Sequence, residues 1–238
     1  MKRTKKLIIA NLAVILVGLL AITAGMLFIT NDSELATGTK NILVCAIDEG
    51  EARPGMGACD MAFVIELQDG VLTNYTAIYP SGLTHPTEEE PAEAQAQGAG
   101  EKLLLHEAFW YEDNEKSMQN AKEIVEYQKG IPIDAVVAIN SEAIDSIISA
   151  ASPLEIDGEQ IDASGIDFIR DEQDEDGLSR GDAVMNVAKA LAESANDPVK
   201  RSKIVETAMD QYSKGNIIMS PEEGFVGLLA SKGLGSLF

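Results

Sequence analysis

The apolar positions of this chain fall into runs of two kinds. One run is long and unbroken: residues 7–29, LIIANLAVILVGLLAITAGMLFI, contain no charged side chain. At ~1.5 Å rise per residue, a helix of that length crosses a hydrocarbon core of ~30 Å. The other runs are short. NILVCAI at 41–47 is continuous, as expected of a strand covered on both faces. MAFVIEL at 61–67 and VLTNYTAIY at 71–79 flank Asp69-Gly70, a dipeptide that favours a hairpin turn. AVVAIN at 135–140 reads as another strand.

Elsewhere the apolar residues return at helical spacing. In DNEKSMQNAKEIVEYQKG (113–130), Ala121, Ile124, Val125 and Tyr127 mark a helix that Gly130 stops, with Pro132 just beyond. SEAIDSIISAA (141–151) reads as a helix capped by Ser141, and PLEIDG (153–158) as a short strand entering a turn. Residues 164–215 read as largely helical. Val184, Val187, Ala188 and Leu191 share a face there; Pro198 suits a first turn and Gly215 a stop. A last helix is expected from Pro221 onward. The stretch 81–101, SGLTHPTEEEPAEAQAQGAGE, reads as a long surface loop. Strands mixed with helices in this order predict an α/β layered domain, and no repeat of solenoid period is visible.

Charge changes the picture at both scales. Four basic residues, Lys2, Arg3, Lys5 and Lys6, precede the long apolar run, and no acid occurs before Asp32. That asymmetry predicts a cytoplasmic N-terminus and an extracytoplasmic remainder. A cleaved signal peptide is the rival, but its apolar core is usually ~7–15 residues. The expected organisation is a basic tail at 1–6, a transmembrane helix at 7–29, a linker at 30–40 and one extracytoplasmic domain at 41–238. The net charge of -21 disfavours nucleic acid and anionic surfaces as partners, and 5% aromatic content supplies little stacking surface. Two cysteines make no disulfide framework: Cys45 reads as a buried small hydrophobe and Cys59 as a loop thiol, too far apart along the ladder to bridge. Two histidines and no cysteine pair at metal spacing argue against structural zinc.

Candidate chemistry collects at a few positions. Asp48 ends the first short strand and Asp60 begins the second. Carboxylates at strand ends either shape turns or hold a hard cation such as Mg2+. Arg170 and Arg180 each sit in a helical segment, where a guanidinium can grip phosphate or pair with the neighbouring acids. His85, in the loop at 81–101, and His106 just after it are either solvated side chains or acid–base groups near one cleft.

The order of these pieces resembles the LytR-CpsA-Psr family of cell-envelope proteins, and a related family known only as a domain of unknown function more closely. The likeness runs from about residue 40 to 215. NILVCAID resembles an opening strand reading NILLLGxD, and GACDMAFVIEL a GRSDTMMLL segment. GIPIDAVVAINSEAIDSIISAASPLEIDG is similar to GIPIDYYV followed by a strand, a helix and a VDALGGVEV-like segment. IDFIRDEQDEDGLSRGDAV resembles a YVRxR…DxGRxxRQ region, placing Arg170 and Arg180 on two phosphate-binding arginines. The resemblance implies a three-layer α/β/α sandwich with a mixed sheet, Mg2+ on Asp48 and Asp60, and glycan transfer from a polyprenyl-pyrophosphate carrier.

The departures are equally specific. Pro80, Ser81 and Gly82 stand where a SIPRDT-like stretch places its arginine. Glu172 replaces the second arginine of RxR, Leu104 falls near a lysine, and Ala183 and Val184 replace an RQ pair. Losing one oxyanion donor typically costs ~10²–10³ in rate. The resemblance therefore implies an envelope protein that binds a glycan or polyprenyl-phosphate-linked ligand with little or no transferase activity. An active phosphotransferase and a purely structural surface protein are the alternatives. Ser81, His85 and His106 complete the candidate cleft.

Overall fold

The computed structural model describes residues 35, 38–51, 53–68, 71–156, 159–161, 190–191, 194–195 and 197–221. The apolar run at 7–29, both Arg170 and Arg180, and the helix expected beyond Pro221 lie outside the described residues. Among the described residues no helix is long and apolar enough to cross a membrane.

Five strands form the main sheet: β1 (Thr39–Asp48), β2 (Ala58–Gln68), β3 (Val71–Ile78), β6 (Ala135–Asn140) and β9 (Ile217–Ser220). Their order is β3-β2-β1-β6-β9. β1 is antiparallel to β2 and parallel to β6, and β9 is antiparallel to β6, so the sheet is mixed. β1 lies at its centre, and Ile42 to Ile47 are almost completely buried. Burial on both faces is what a continuous apolar run without alternation reports.

Helix α2 (Asn114–Lys129) covers one face. Its Met118, Ala121, Ile124 and Val125 pack on Leu43, Cys45, Ile47, Val136 and Ala138. Fully burying each large aliphatic or Met side chain contributes ~1.5–3 kcal/mol. Ile42, Val44 and Ala46 alternate to the opposite face. There α3 (Ser141–Ala151) contacts β1 and β6, α4 (Pro198–Ser213) contacts β9, and the two helices pack together. The result is three layers, α/β/α.

Local sequence sets the helix ends. Asp113 accepts from the Lys116 N–H at 3.0 Å, and Gly130 closes α2 in the left-handed conformation at φ 66. The cap of α3 is Asn140, one residue before the expected Ser141, and its Oδ1 accepts from the Ala143 N–H at 3.0 Å. Asp197 caps α4, with Pro198 in its first turn.

Two segments differ from expectation. Residues 81–101 contain β4 (Thr84–Glu89) and α1 (Ala92–Ala96), and β4 pairs with β5 (Lys102–Leu104). The anchor of this polar hairpin is His85, buried, whose Nδ1 accepts from the backbone N–H groups of Thr87 and Glu88 at 3.1 and 2.9 Å. The strand β9 occupies a short stretch just after Gly215, between the expected helix stop and the helix expected from Pro221, where the sequence predicts no element. A smaller hairpin joins β7 (Leu154–Ile156) to β8 (Glu159–Ile161). Cys45 and Cys59 are both free and buried; Cys59 lies inside β2 rather than in a loop.

Candidate functional site

The site begins with a pairing irregularity. Ala46 faces Met61 and Ile47 faces Cys59, so Asp60 is an extra residue in the β1–β2 ladder. A bulge of this kind re-aims a side chain at a sheet end. Cys59 and Met61 stay in the core, while the Asp60 carboxylate reaches the surface. Asp60 therefore lies at the sheet end where the parallel strands β1 and β6 finish, the usual crevice of an α/β sheet.

The β1–β2 loop is stitched to a second segment, the 3-10 turn Leu105–Glu107 and the residues after it. The Gly55 N–H donates to the Trp110 carbonyl at 2.8 Å. A Cβ at Gly55 would meet the Tyr111 and Phe109 carbonyl oxygens at 2.2 and 2.5 Å, so only glycine permits this approach. The stitch brings Glu51 and Arg53 against His106 and Glu107.

Their contacts form a connected network. Arg53 Nε donates to Glu107 Oε2 at 2.7 Å, and Nη2 donates to Glu107 Oε1 at 3.0 Å. The same Nη2 donates to Glu51 Oε2 at 3.1 Å. The guanidinium also lies over the Trp110 ring, 5.0 Å from its centroid. His106 Nδ1 is 2.9 Å from Glu107 Oε1, and Nε2 is 3.4 Å from Asp60 Oδ1 and 3.9 Å from Glu51 Oε1.

This setting moves both titrating partners. The hydrogen bonds to Asp60 and then to Glu107 outweigh burial and raise the His106 imidazole to about 10. Burial pushes the Glu107 carboxyl up, but hydrogen bonds from His106 and Arg53 dominate and hold it at about 2. Nearby Glu90 is buried, and burial raises its carboxyl despite the Leu104 N–H donated to Oε1 at 2.9 Å.

Of the residues singled out in the sequence, Asp60 and His106 come together. Asp48 ends β1 opposite Ala58, and its Oδ1 accepts from the Gly50 N–H at 2.7 Å, as a turn former does. Ser81 is exposed in the turn after β3, where the Leu83 N–H donates to Pro80 at 3.2 Å. His85 faces α2, its Nε2 3.0 Å from Glu123 Oε2. Arg170 and Arg180 fall outside the described residues. Glu51, Arg53 and Glu107 were not singled out from the sequence. The acid beside His106 and an arginine between the two aspartates were visible, but only the Gly55 stitch pairs them.

One ligand atom each from Glu51, Asp60 and His106 lies within 4.8 Å of the others, so this group can hold a cation. Two carboxylates suit Mg2+, which prefers oxygen ligands; an imidazole nitrogen does not. The donors present thus fit the ion implied by the resemblance only in part.

Fold and site together define a mixed-sheet α/β domain with a carboxylate–histidine centre at the strand ends. The DUF4012 model, a protein of unknown function, matches residues 37–173, and the chain belongs to that family. Similar solved structures include protein gbs0355 from Streptococcus agalactiae, at 15% identity over 87% of this chain and 78% of that one, TM-score 0.53. Lin1025 protein from Listeria innocua matches at 9% identity over 82% and 80%, TM-score 0.50. These two show the shared fold. A LytR-Csp2A-Psr enzyme from Actinomyces oris is also similar, at 18% identity over 86% and 79%, TM-score 0.46. No curated protein matches the chain.

Proposed function

We propose that this chain is a single-pass cell-envelope protein whose strand-end site binds a glycan or polyprenyl-phosphate-linked ligand through a bridging divalent cation, with little or no transferase activity. In this reading residues 1–6 are cytoplasmic, 7–29 span the cell membrane, 30–40 link, and 41–238 form the extracytoplasmic domain. The uncharged run after a basic tail supports the anchor. The order of sequence segments shared with the LytR-CpsA-Psr family supports the ligand class.

One observation carries the binding-only part. The cationic groups at the described site, Arg53 and His106, are each already paired with carboxylates of Glu51, Asp60 or Glu107. Stabilising the charge that develops on a pyrophosphate needs donors aimed at the ligand rather than spent internally. A dication on the carboxylates supplies that bridge, and Arg170 and Arg180 grip the phosphate oxygens in addition.

The test uses the full chain reconstituted into vesicles carrying polyprenyl phosphate, with and without chelator. Cation-dependent binding that Asp60→Ala removes is the expected result. Absence of binding to polyprenyl phosphate and to envelope glycans overturns the proposal in favour of a structural role. Transfer of a labelled lipid-linked glycan to an acceptor, abolished by Asp60→Ala, replaces it with the phosphotransferase reading.

A further inference from the structure

We infer that Glu51, Asp60 and His106 select a first-row transition-metal dication of the Zn2+ class over Mg2+. This rests on the strand-end cluster being the cation-dependent site proposed above. The first argument is the donor set. Two carboxylate oxygens and one imidazole nitrogen converge, and imidazole favours Zn, Fe, Ni and Cu over the hard dications. Ligands at ~2.0–2.2 Å from such an ion stand about 3–3.6 Å apart at tetrahedral or octahedral angles. The Nε2–Asp60 separation of 3.4 Å already lies in that range, and the Nε2–Glu51 separation of 3.9 Å is slightly wide. The Glu51 side chain is 45% exposed and can swing inward to close it.

The second argument is independent of the three donors. The other ring nitrogen of His106, Nδ1, lies 2.9 Å from Glu107 Oε1. Glu107 is itself fixed by the Arg53 fork at 2.7 and 3.0 Å. A carboxylate holding the far nitrogen of a histidine fixes the ring's orientation and directs Nε2 at the metal position, the usual support for a metal-binding imidazole. That support is expensive for a merely surface histidine, since Arg53 and Glu107 side chains are only 12% and 10% exposed. Charge gives a third argument. Glu51, Asp60 and Glu107 against Arg53 leave two negative charges when His106 binds as neutral imidazole, and a dication cancels them.

The three ligands also come from three separate segments: the β1–β2 loop, the bulge and the 3-10 turn. An ion bound there adds a cross-link to those already made by the Gly55 stitch and the Arg53–Glu107 pair.

The experiment titrates the metal-stripped full chain with the chlorides of Zn2+ and Mg2+ by calorimetry, and with Co2+ by absorption. No lipid is present. One Zn2+ per chain should bind at least ten-fold tighter than Mg2+. Co2+ should give ligand-field bands that Zn2+ displaces and Mg2+ does not, a readout that needs no variant. His106→Gln should lower Zn2+ affinity ten-fold or more while leaving Mg2+ within about two-fold, and Glu107→Gln should weaken Zn2+ about 10–100-fold. Equal affinity for Mg2+ and Zn2+, or a Zn2+ preference that survives His106→Gln, overturns the inference. Because no lipid enters these titrations, such a failure leaves the polyprenyl-phosphate experiment standing. Loss of lipid binding with metal selectivity intact would sink the functional proposal and keep the metal site.

Discussion

Removing the Arg53 guanidinium should expose how much of the site is held by one buried ion pair. Arg53 and Glu107 are nearly enclosed, at 12% and 10% side-chain exposure, and their fork closes at 2.7 and 3.0 Å. Breaking such a pair from one side costs ~3–5 kcal/mol, because a charge is left buried without its partner. His106 remains on Glu107 at 2.9 Å, which places Arg53→Met at the lower end, about 3 kcal/mol. Loss of the contact over Trp110 adds ~0.5–1 kcal/mol. For a chain of this size about 3 kcal/mol lowers Tm by roughly 6–12 °C. Glu107→Gln alone should cost a similar amount, since it leaves Arg53 enclosed. The double variant should fall short of the summed losses by about 2 kcal/mol, within the range for residues in direct contact. Urea unfolding of the full chain reads this out by far-UV circular dichroism. Trp110, the single tryptophan, adds a local fluorescence signal beneath Arg53. A coupling under ~0.5 kcal/mol would refute the reasoning, because independent sites already add within that margin.

Other outcomes follow from the same geometry. In the metal-free chain His106, raised to about 10, contributes stability that is complete below its ordinary value of ~6.5 and fades as pH climbs through about 10. Glu107, held at about 2, contributes above its ordinary ~4.3 and loses that contribution as pH falls toward 2. Unfolding free energy followed across pH should therefore drop at both extremes, and His106→Gln should flatten the alkaline side. Gly55→Ala forces backbone apart at Tyr111 and Phe109, so it should cost ~1–3 kcal/mol and weaken Zn2+ binding in the same titration. His85→Ala strips a partner from the N–H groups of Thr87 and Glu88 and should cost ~1–3 kcal/mol by thermal unfolding, with metal affinity unchanged.

The parts of the fold written in contiguous apolar runs were readable from the chain. β1 and β6 are buried on both faces and look so in sequence; α2 announces its end at Gly130. The β4–β5 hairpin was not readable, because Thr84–Glu89 is polar and owes its order to one buried imidazole and the helix behind it. β9 is too short to show a period and is defined by its pairing with β6. At the site, Asp60 and His106 were identifiable as polar groups near strand ends. Glu51, Arg53 and Glu107 were not, since their roles depend on a contact between residues 55 and 110 that no local pattern encodes.

The supernumerary residue at position 60 makes chain length at this edge decide whether a carboxylate stands at the strand end. Deleting it would leave Cys59 opposite Ile47 and Met61 opposite Ala46, as they already are, with a regular ladder between them. Such a shortening would spare the hydrophobic layers and erase the outward carboxylate in a single step. A relative lacking that one position would then keep this architecture while losing one of the three ligands of the ion site inferred above, so architecture and the inferred ion affinity are free to diverge.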